Sequence, residues 1–362
     1  MLAAAAIPLF LFTRTMAAWN RESNVAAGRS WYERASEPLK QHNSVTAIEY
    51  LRKAAAADRN NEQYSLTLAE ALDGDGQVEE ARQILLRLRN SQPEDGRINL
   101  DLARISVKDD EVEIARKYYH QALYGMWPAG QVEPEQSRIR MELVRFLLSQ
   151  QDISNAVSEL LILAAYNPSD TATKAELGLL FLQADEPNRA LNQFLDVLKL
   201  EPTSTIALAG AGEAEFRSGN DEAAKRWLQS AAQQGPLSAE AQHTLDLAGL
   251  ILSGDALANG IDARERVRRL TQSLMRASDR LDTCGIQSAL SDPGAAETLK
   301  EEIKQMLKQV GRQGAGADLN LLRDGLRIAS SAELAGTKAC GPLSAPNEAI
   351  VLAAKRHKLN TP

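Results

Sequence analysis

The stretch DGDGQVEEARQILLRLRNSQP, Asp73 to Pro93, starts in a turn, runs through one amphipathic segment and stops on a proline. Glycines among acidic residues stop one helix and cap the next. Ala81, Leu85 and Leu88 then share a helical face, and Pro93 follows twelve residues after Ala81, where a helix must end.

The same signature recurs along the chain at an interval of 34. Ala47, Leu51, Ala54 and Arg59 hold it one interval earlier, and Ala115, Tyr119, Ala122 and Trp127, with Pro128 adjacent, hold it one interval later. The next set, Ala156, Leu160, Leu163 and Pro168, comes after 41, so seven residues are inserted near PAGQVEP. Ala190, Phe194, Val197 and Pro202, then Ala224, Leu228, Ala231 and Pro236, return to 34. Ala258 lies 34 further on without the rest of the pattern. Upstream of these alanines a second register, Leu68-Ala69, Leu102-Ala103, Leu143-Val144, Leu177-Gly178 and Ala211-Gly212, marks a partner helix.

A 34-residue helix-turn-helix unit with small residues where its helices cross resembles the tetratricopeptide repeat (TPR) family. The resemblance covers about Gly28 to Leu270, with six of seven units matching well; the insertion and the decay of the seventh unit depart from it. It implies an all-α superhelix, an α-solenoid, whose concave groove is lined by first helices, and protein or peptide binding in that groove. The physical reading agrees, because each pair exposes an apolar stripe that only a neighbouring pair covers. The expected organisation is a hydrophobic signal- or anchor-like segment or helix over 1–27, six to seven repeats over 28–272 with the insertion near 128–136, and a helical C-terminal cap over 273–362 whose first long helix starts near 262.

That cap is expected from IDARERVRRLTQSLMRASDRLDTC, with Val267, Leu270, Leu274 and Leu281 on one face, and from three further amphipathic segments. Its arginines read either as a solvated face paired with Glu265, Asp279 and Asp282 or as a contact for an anionic partner.

The composition, 44% hydrophobic and 25% charged with net charge −7, describes a globular helical chain and argues against nonspecific nucleic-acid binding. Charge is uneven: residues 262–362 hold 16 basic against 12 acidic side chains, leaving −11 for residues 1–261. No nucleotide-binding loop, serine-nucleophile or zinc motif is present, and His42, His120, His243 and His357 lie apart, so no enzyme activity, metal site or cofactor is expected. Asp73 to Gly76 hint at a calcium loop but lack its later ligands and fall where the repeat needs a turn.

The candidate partner-binding residues lie on first helices. Arg97 and Arg104 stand at −18 and −11 relative to Ala115, and Arg138 and Arg145 stand at the same offsets from Ala156. Positions that face the groove in the family would thus hold four guanidinium groups able to grip a carboxylate-rich or C-terminal peptide, unless neighbouring acidic side chains neutralise them. In the fifth and sixth units Leu179, Leu182 and Phe216 would make the groove apolar, suiting an amphipathic partner helix or a C-terminal helix folded back.

Two features speak to location. Leu2 to Phe12 form an apolar run ended by Thr13 and Arg14, shorter than a bilayer span and closer to a signal core, which suggests membrane anchoring or export to an extracytoplasmic (periplasmic) space. Cys284 and Cys340, each followed by glycine, would close a loop of roughly 56 residues if disulfide-bonded, contributing on the order of 4 kcal/mol in an oxidising compartment. The function expected is a non-enzymatic scaffold or assembly factor; a cytoplasmic peptide-sensing regulator and a catalytic activity concealed in the cap stay open.

Overall fold

The computed structural model describes residues 2–128, 130, 132–166, 170–285 and 293–359, with side chains for all of these but 2–13, 17–18, 284–285, 293–296 and 338–340. Among the described residues the chain is all-α, with one isolated parallel bridge between Asp95 and Met126. It divides into two compact units, Met1–Leu163 and Ala164–Pro362.

The first unit holds α1 (Leu2–Lys40), α2 (Ser44–Ala57), α3 (Glu62–Gly74), α4 (Val78–Ser91), α5 (Gly96–Lys108), α6 (Val112–Leu123), α7 (Val132–Ser149) and α8 (Ile153–Ala165), whose last two residues cross into the second. From α1 to α7 each helix packs on the next. The second unit continues with α9 (Thr171–Gln183), α10 (Pro187–Leu200), α11 (Thr205–Arg217), α12 (Asp221–Gln234) and α13 (Ala239–Gly254). The C-terminal helices α14 (Ala263–Gly285), α15 (Pro293–Gln313), α16 (Leu319–Cys340) and α17 (Ala345–Arg356) pack among themselves, and α17 lies along α13.

The turn inside each repeat explains the regularity. A residue with positive φ follows the first helix of each of the six full repeats: His42, Gly76, Asp110, Gln151, Asp185 and Gly219, at sequence intervals of 34, 34, 41, 34 and 34. At each, the following N–H donates to the carbonyl five residues back, as Gln77 to Leu72 (2.8 Å) and Glu186 to Phe181 (2.9 Å), while the left-handed residue donates to the carbonyl three back. This six-to-one and five-to-two pair satisfies carbonyls that a helix end leaves open and reverses the chain in the fewest residues. Glycine adopts the conformation freely at two of the six turns; the other four place a side chain there at a modest steric cost.

Every alanine, leucine, tyrosine, phenylalanine and valine of the six repeated stripes is buried, and the six alanines that begin them have no exposed surface. Phe194 shows why small residues face them. A methyl group at Gly178 on α9 would lie 2.7 Å from its ring, and one at Gly210 on α11 would overlap it. On the second helices, Arg82 binds Asp109 and Glu111, and Arg116, one repeat on, reaches Asp152 at 2.9 Å, so these two turns are each tied to the preceding repeat.

The insertion lengthens α7 to 18 residues, against 13 for α3, α5, α9 and α11, and adds a loop clasped to the previous turn. Met126 N–H donates to Glu94 O at 2.6 Å, Gly96 N–H to Met126 O at 3.0 Å, and the Trp127 indole to Ala122 O at 2.9 Å. Trp127 occupies the space a side chain at Gly96 would need.

The seventh repeat is half present: α13 is its first helix, and Ala258 falls in the connection to α14. Leu270, Leu274, Ala277 and Leu281 of α14 are fully buried against Ile303 and Val310 of α15 and Leu322 and Leu326 of α16, as the spacing predicts, whereas Leu319 is exposed. His357 meets Asp255 at 2.8 Å and His243 meets Glu348 at 3.1 Å, holding α17 on α13.

Two expectations are corrected. No helix among the described residues is long and apolar enough to cross a membrane, because Thr13 and Arg14 interrupt the apolar run within α1. No disulfide is present among the described residues; Cys284 lies in the last turn of α14 and Cys340 ends α16 rather than sitting in a loop, and the side chains of both fall outside the description.

Gly210→Ala should therefore destabilise the second unit by about 1–3 kcal/mol, since overpacking against a fully buried ring outweighs the gain in helix propensity. Gly249→Ala, mid-helix in α13 with nothing within 4 Å of the added carbon, should stabilise it by about 0.5–1 kcal/mol. Urea unfolding midpoints of the two variants shifting in the same direction would contradict this packing account.

Candidate partner-binding face

First helices α3, α5 and α7 present the same three positions, counted back from the alanine of the following helix. Eighteen residues before it stand Gln63, Arg97 and Arg138; fourteen before, Thr67, Asp101 and Glu142; eleven before, Glu70, Arg104 and Arg145. Intervals of four and three residues align each set on one helical face.

The arginines expected to form a cationic patch come together, but with carboxylates among them. Arg104 grips Glu142 with two hydrogen bonds, Nη2 to Oε1 at 2.7 Å and Nε to Oε2 at 3.0 Å, and donates to Asp101 at 3.3 Å. Arg138 donates to the same Glu142 at 3.0 Å and to Glu135. Arg97 donates to Gln63 at 3.0 Å and lies 3.8 Å from Asp95. Arg145 is exposed on α7 and also engaged. Lys108 holds Asp73 at 2.7 Å, and Tyr32 lies 3.3 Å from the Thr67 hydroxyl. Arg104 with Glu142, Arg97 with Gln63, Lys108 with Asp73 and Tyr32 with Thr67 are 34 to 38 residues apart, so these four contacts link one repeat to the next, while Arg104 with Asp101 and Arg138 with Glu135 and Glu142 stay within a repeat.

Asp101 is the most constrained group. Its Oδ2 is buried without a hydrogen-bond partner. Burial pushes its carboxyl up to about 7; the nearby Glu70 and Asp73 charges add to the rise, and Arg104 opposes it. Burial also raises Glu70, against the pull of Arg97 and Arg104, and carries Tyr119 up to about 12 with help from Glu142.

Sequence reasoning singled out the arginines and left open their neutralisation by neighbouring acidic side chains, without naming Glu70, Asp73, Asp101 and Glu142 as those neighbours. The signal was present as RINLDLAR over 97–104 and RIRMELVR over 138–145, where an acidic residue sits four after one arginine and three before the next.

In the second unit the apolar candidates separate. Leu179 is exposed, Leu182 is buried with its carbonyl accepting from Arg217 at 2.7 Å, and Phe216 packs against the C-terminal core under the Arg356 guanidinium. Arg356 also donates to Phe216 O at 2.6 Å and pairs with Asp221 at 3.0 Å. The end of α17 thus covers the sixth repeat's turn. No group of three or more metal-ligating side chains occurs among the described residues.

The Asp101 environment sets a pH dependence. An unfolded aspartate titrates near 3.8, whereas the folded one keeps its proton to about 7, so between those values the folded state binds more protons and stability falls as pH rises. Asp101→Asn removes this contribution. Relative to the parent, it should be more stable at pH 8 than at pH 4 by about 1–3 kcal/mol, read as a pH-dependent difference in melting temperature. A difference independent of pH would show that Asp101 titrates normally.

Family models described as tetratricopeptide repeat match residues 39–105 and 175–239. No curated protein matches the chain. Among solved structures, the C-terminal part of a TPR repeat-containing protein from Cytophaga hutchinsonii is 12% identical with a TM-score of 0.48, the alignment covering 88% of this chain and 98% of the other. A tetratricopeptide repeat protein from Parabacteroides merdae is 14% identical at 0.44, covering 79% and 99%. YrrB, described as a TPR protein with an unusual peptide-binding site, is 20% identical at 0.44, covering 54% and 98%. Each stretch matched by a family model contains two of the left-handed turns, one period apart, and both stretches belong to the tetratricopeptide repeat family.

Proposed function

We propose that this protein is a non-enzymatic scaffold that holds a peptide or helix of a partner protein against the first-helix face of α3, α5 and α7. The observation that carries the reading is the row of polar side chains at three repeat-related positions, linked across repeats and including the unpartnered Oδ2 of Asp101. Secondary-structure stacking does not require these groups, since the core is complete without them. Because Glu142 and Asp101 already hold Arg104 and Arg138, the face suits a segment of mixed charge better than a purely acidic one: it offers donors at the guanidinium groups and an acceptor at the exposed Glu70.

The test replaces Arg97, Arg104, Arg138 and Arg145 by alanine and compares partners captured from native extract by mass spectrometry. A second variant that also carries Asp101→Ala and Glu142→Ala leaves the face uncharged. Specific partners of the parent should be lost from both variants, with helical circular dichroism retained; capture of every partner by both would rule this face out as the docking site.

Action outside the cytoplasm is part of the proposal and rests on the apolar run Leu2 to Phe12. Fractionation of cells expressing the chain with and without residues 1–20 should move it from an exported to a cytoplasmic pool. The same pool for both would sink export.

A further inference from the structure

In the second unit, α13, α14, α16 and α17 line a partly open pocket of about 140 Å³. Leu250, Leu326, Ile350 and Ala353 form its apolar wall, and Gln272 and Arg276 of α14 part of its polar one. A dry cavity of about 150 Å³ accommodates benzene, so the volume matches an aromatic ring or a short branched chain.

The cations around it are not equivalent. Arg269 is committed to the fold: it pairs with Glu265 at 2.7 Å and donates to the carbonyls of Leu252 and Asp255 at 3.0 and 3.1 Å, ending α13. Arg276 is exposed and makes no hydrogen bond or ion pair with a described residue. Its charge acts on Glu333, fully buried on α16, whose carboxyl burial pushes up to about 7, so it faces less than a full counter-charge near neutral pH.

Leu250 and Pro346 belong also to an adjoining open groove with Lys225, Gln229 and Gly249. Gly249 stands in the interior of α13, where glycine weakens a helix, and no neighbouring atom lies within 4 Å of the position a Cβ would take there. Packing does not demand it, and its absent side chain leaves the groove floor open.

We propose that the pocket binds a carboxylate carried on an apolar body the size of a ring or isobutyl group, the body against Leu250, Leu326 and Ile350 and the carboxylate on Arg276. Such a group occurs on free small acids and on the last residue of a peptide, which would continue over Gly249 toward Lys225. The site shares no residue with the first-helix face, so either assignment stands or falls alone.

Isothermal titration of the full chain tests it with phenylacetate, phenylacetamide, a hexapeptide ending in phenylalanine with a free carboxylate, and the same peptide amidated. At least one of the two acids should bind, and its neutral amide should bind at least roughly tenfold more weakly. Arg276→Gln, checked for folding by its melting curve, should lower that affinity roughly ten- to a hundredfold. Gly249→Leu should weaken the peptide and spare phenylacetate. Binding of phenylacetate alone assigns the site to free acids, and tighter binding of the peptide assigns it to chain termini. Equal binding of acids and amides, indifference to Arg276→Gln, or no binding of either acid at millimolar concentration overturns the proposal.

Discussion

The burial of one apolar stripe on each second helix is the constraint on which the rest of the repeats depends. Ala47, Ala81, Ala115, Ala156, Ala190 and Ala224 have no exposed surface, and the larger residues four positions on and the apolar residues seven positions on are buried with them. A single helix pair cannot cover such a stripe, so pairs stack, and stability in each unit accumulates from one neighbour to the next. The close approach this demands explains the small residues opposite: Phe194 fits only because Gly178 and Gly210 leave room for its ring.

Stacking in turn determines where charge is placed. With one side of each first helix committed to the core, the remaining side repeats at the same interval, and its polar groups meet those of the next repeat. Arg104 with Glu142, Arg97 with Gln63 and Lys108 with Asp73 are such meetings. Exposed pairs of this kind contribute little to stability. Their effect is on recognition: guanidinium groups held by carboxylates keep fixed directions and lose net charge, so the face is patterned rather than basic. Asp101 sits where three acidic groups crowd a partly buried site, and it answers by holding its proton.

How much of this was legible depends on the range of the interaction. The repeat interval, the insertion, the stripe residues and the apolar face of α14 were readable because each rests on local spacing. The left-handed turns were half readable, since Gly76 and Gly219 announce them, whereas His42, Asp110, Gln151 and Asp185 adopt the same conformation without a glycine. The arginines of the candidate face were legible and so was their neutralisation by nearby acids, but the acids themselves went unnamed although RINLDLAR and RIRMELVR carry Asp101 and Glu142 within a helical turn. The bond from Arg104 to Glu142, 38 residues away, requires knowing that α5 and α7 lie side by side.

By itself, the sequence determined the fold class, because a regular period of apolar and turn residues leaves helix-pair stacking as the arrangement that buries the stripes. It also determined where the period fails. Only the tertiary structure decided what fills those failures: Trp127 over Gly96 at the insertion, and α17 on α13 with Arg356 over Phe216 beyond the last full repeat. Those contacts join residues up to 140 apart, where no local spacing constrains the partner and side-chain shape and charge choose it after the helices have packed.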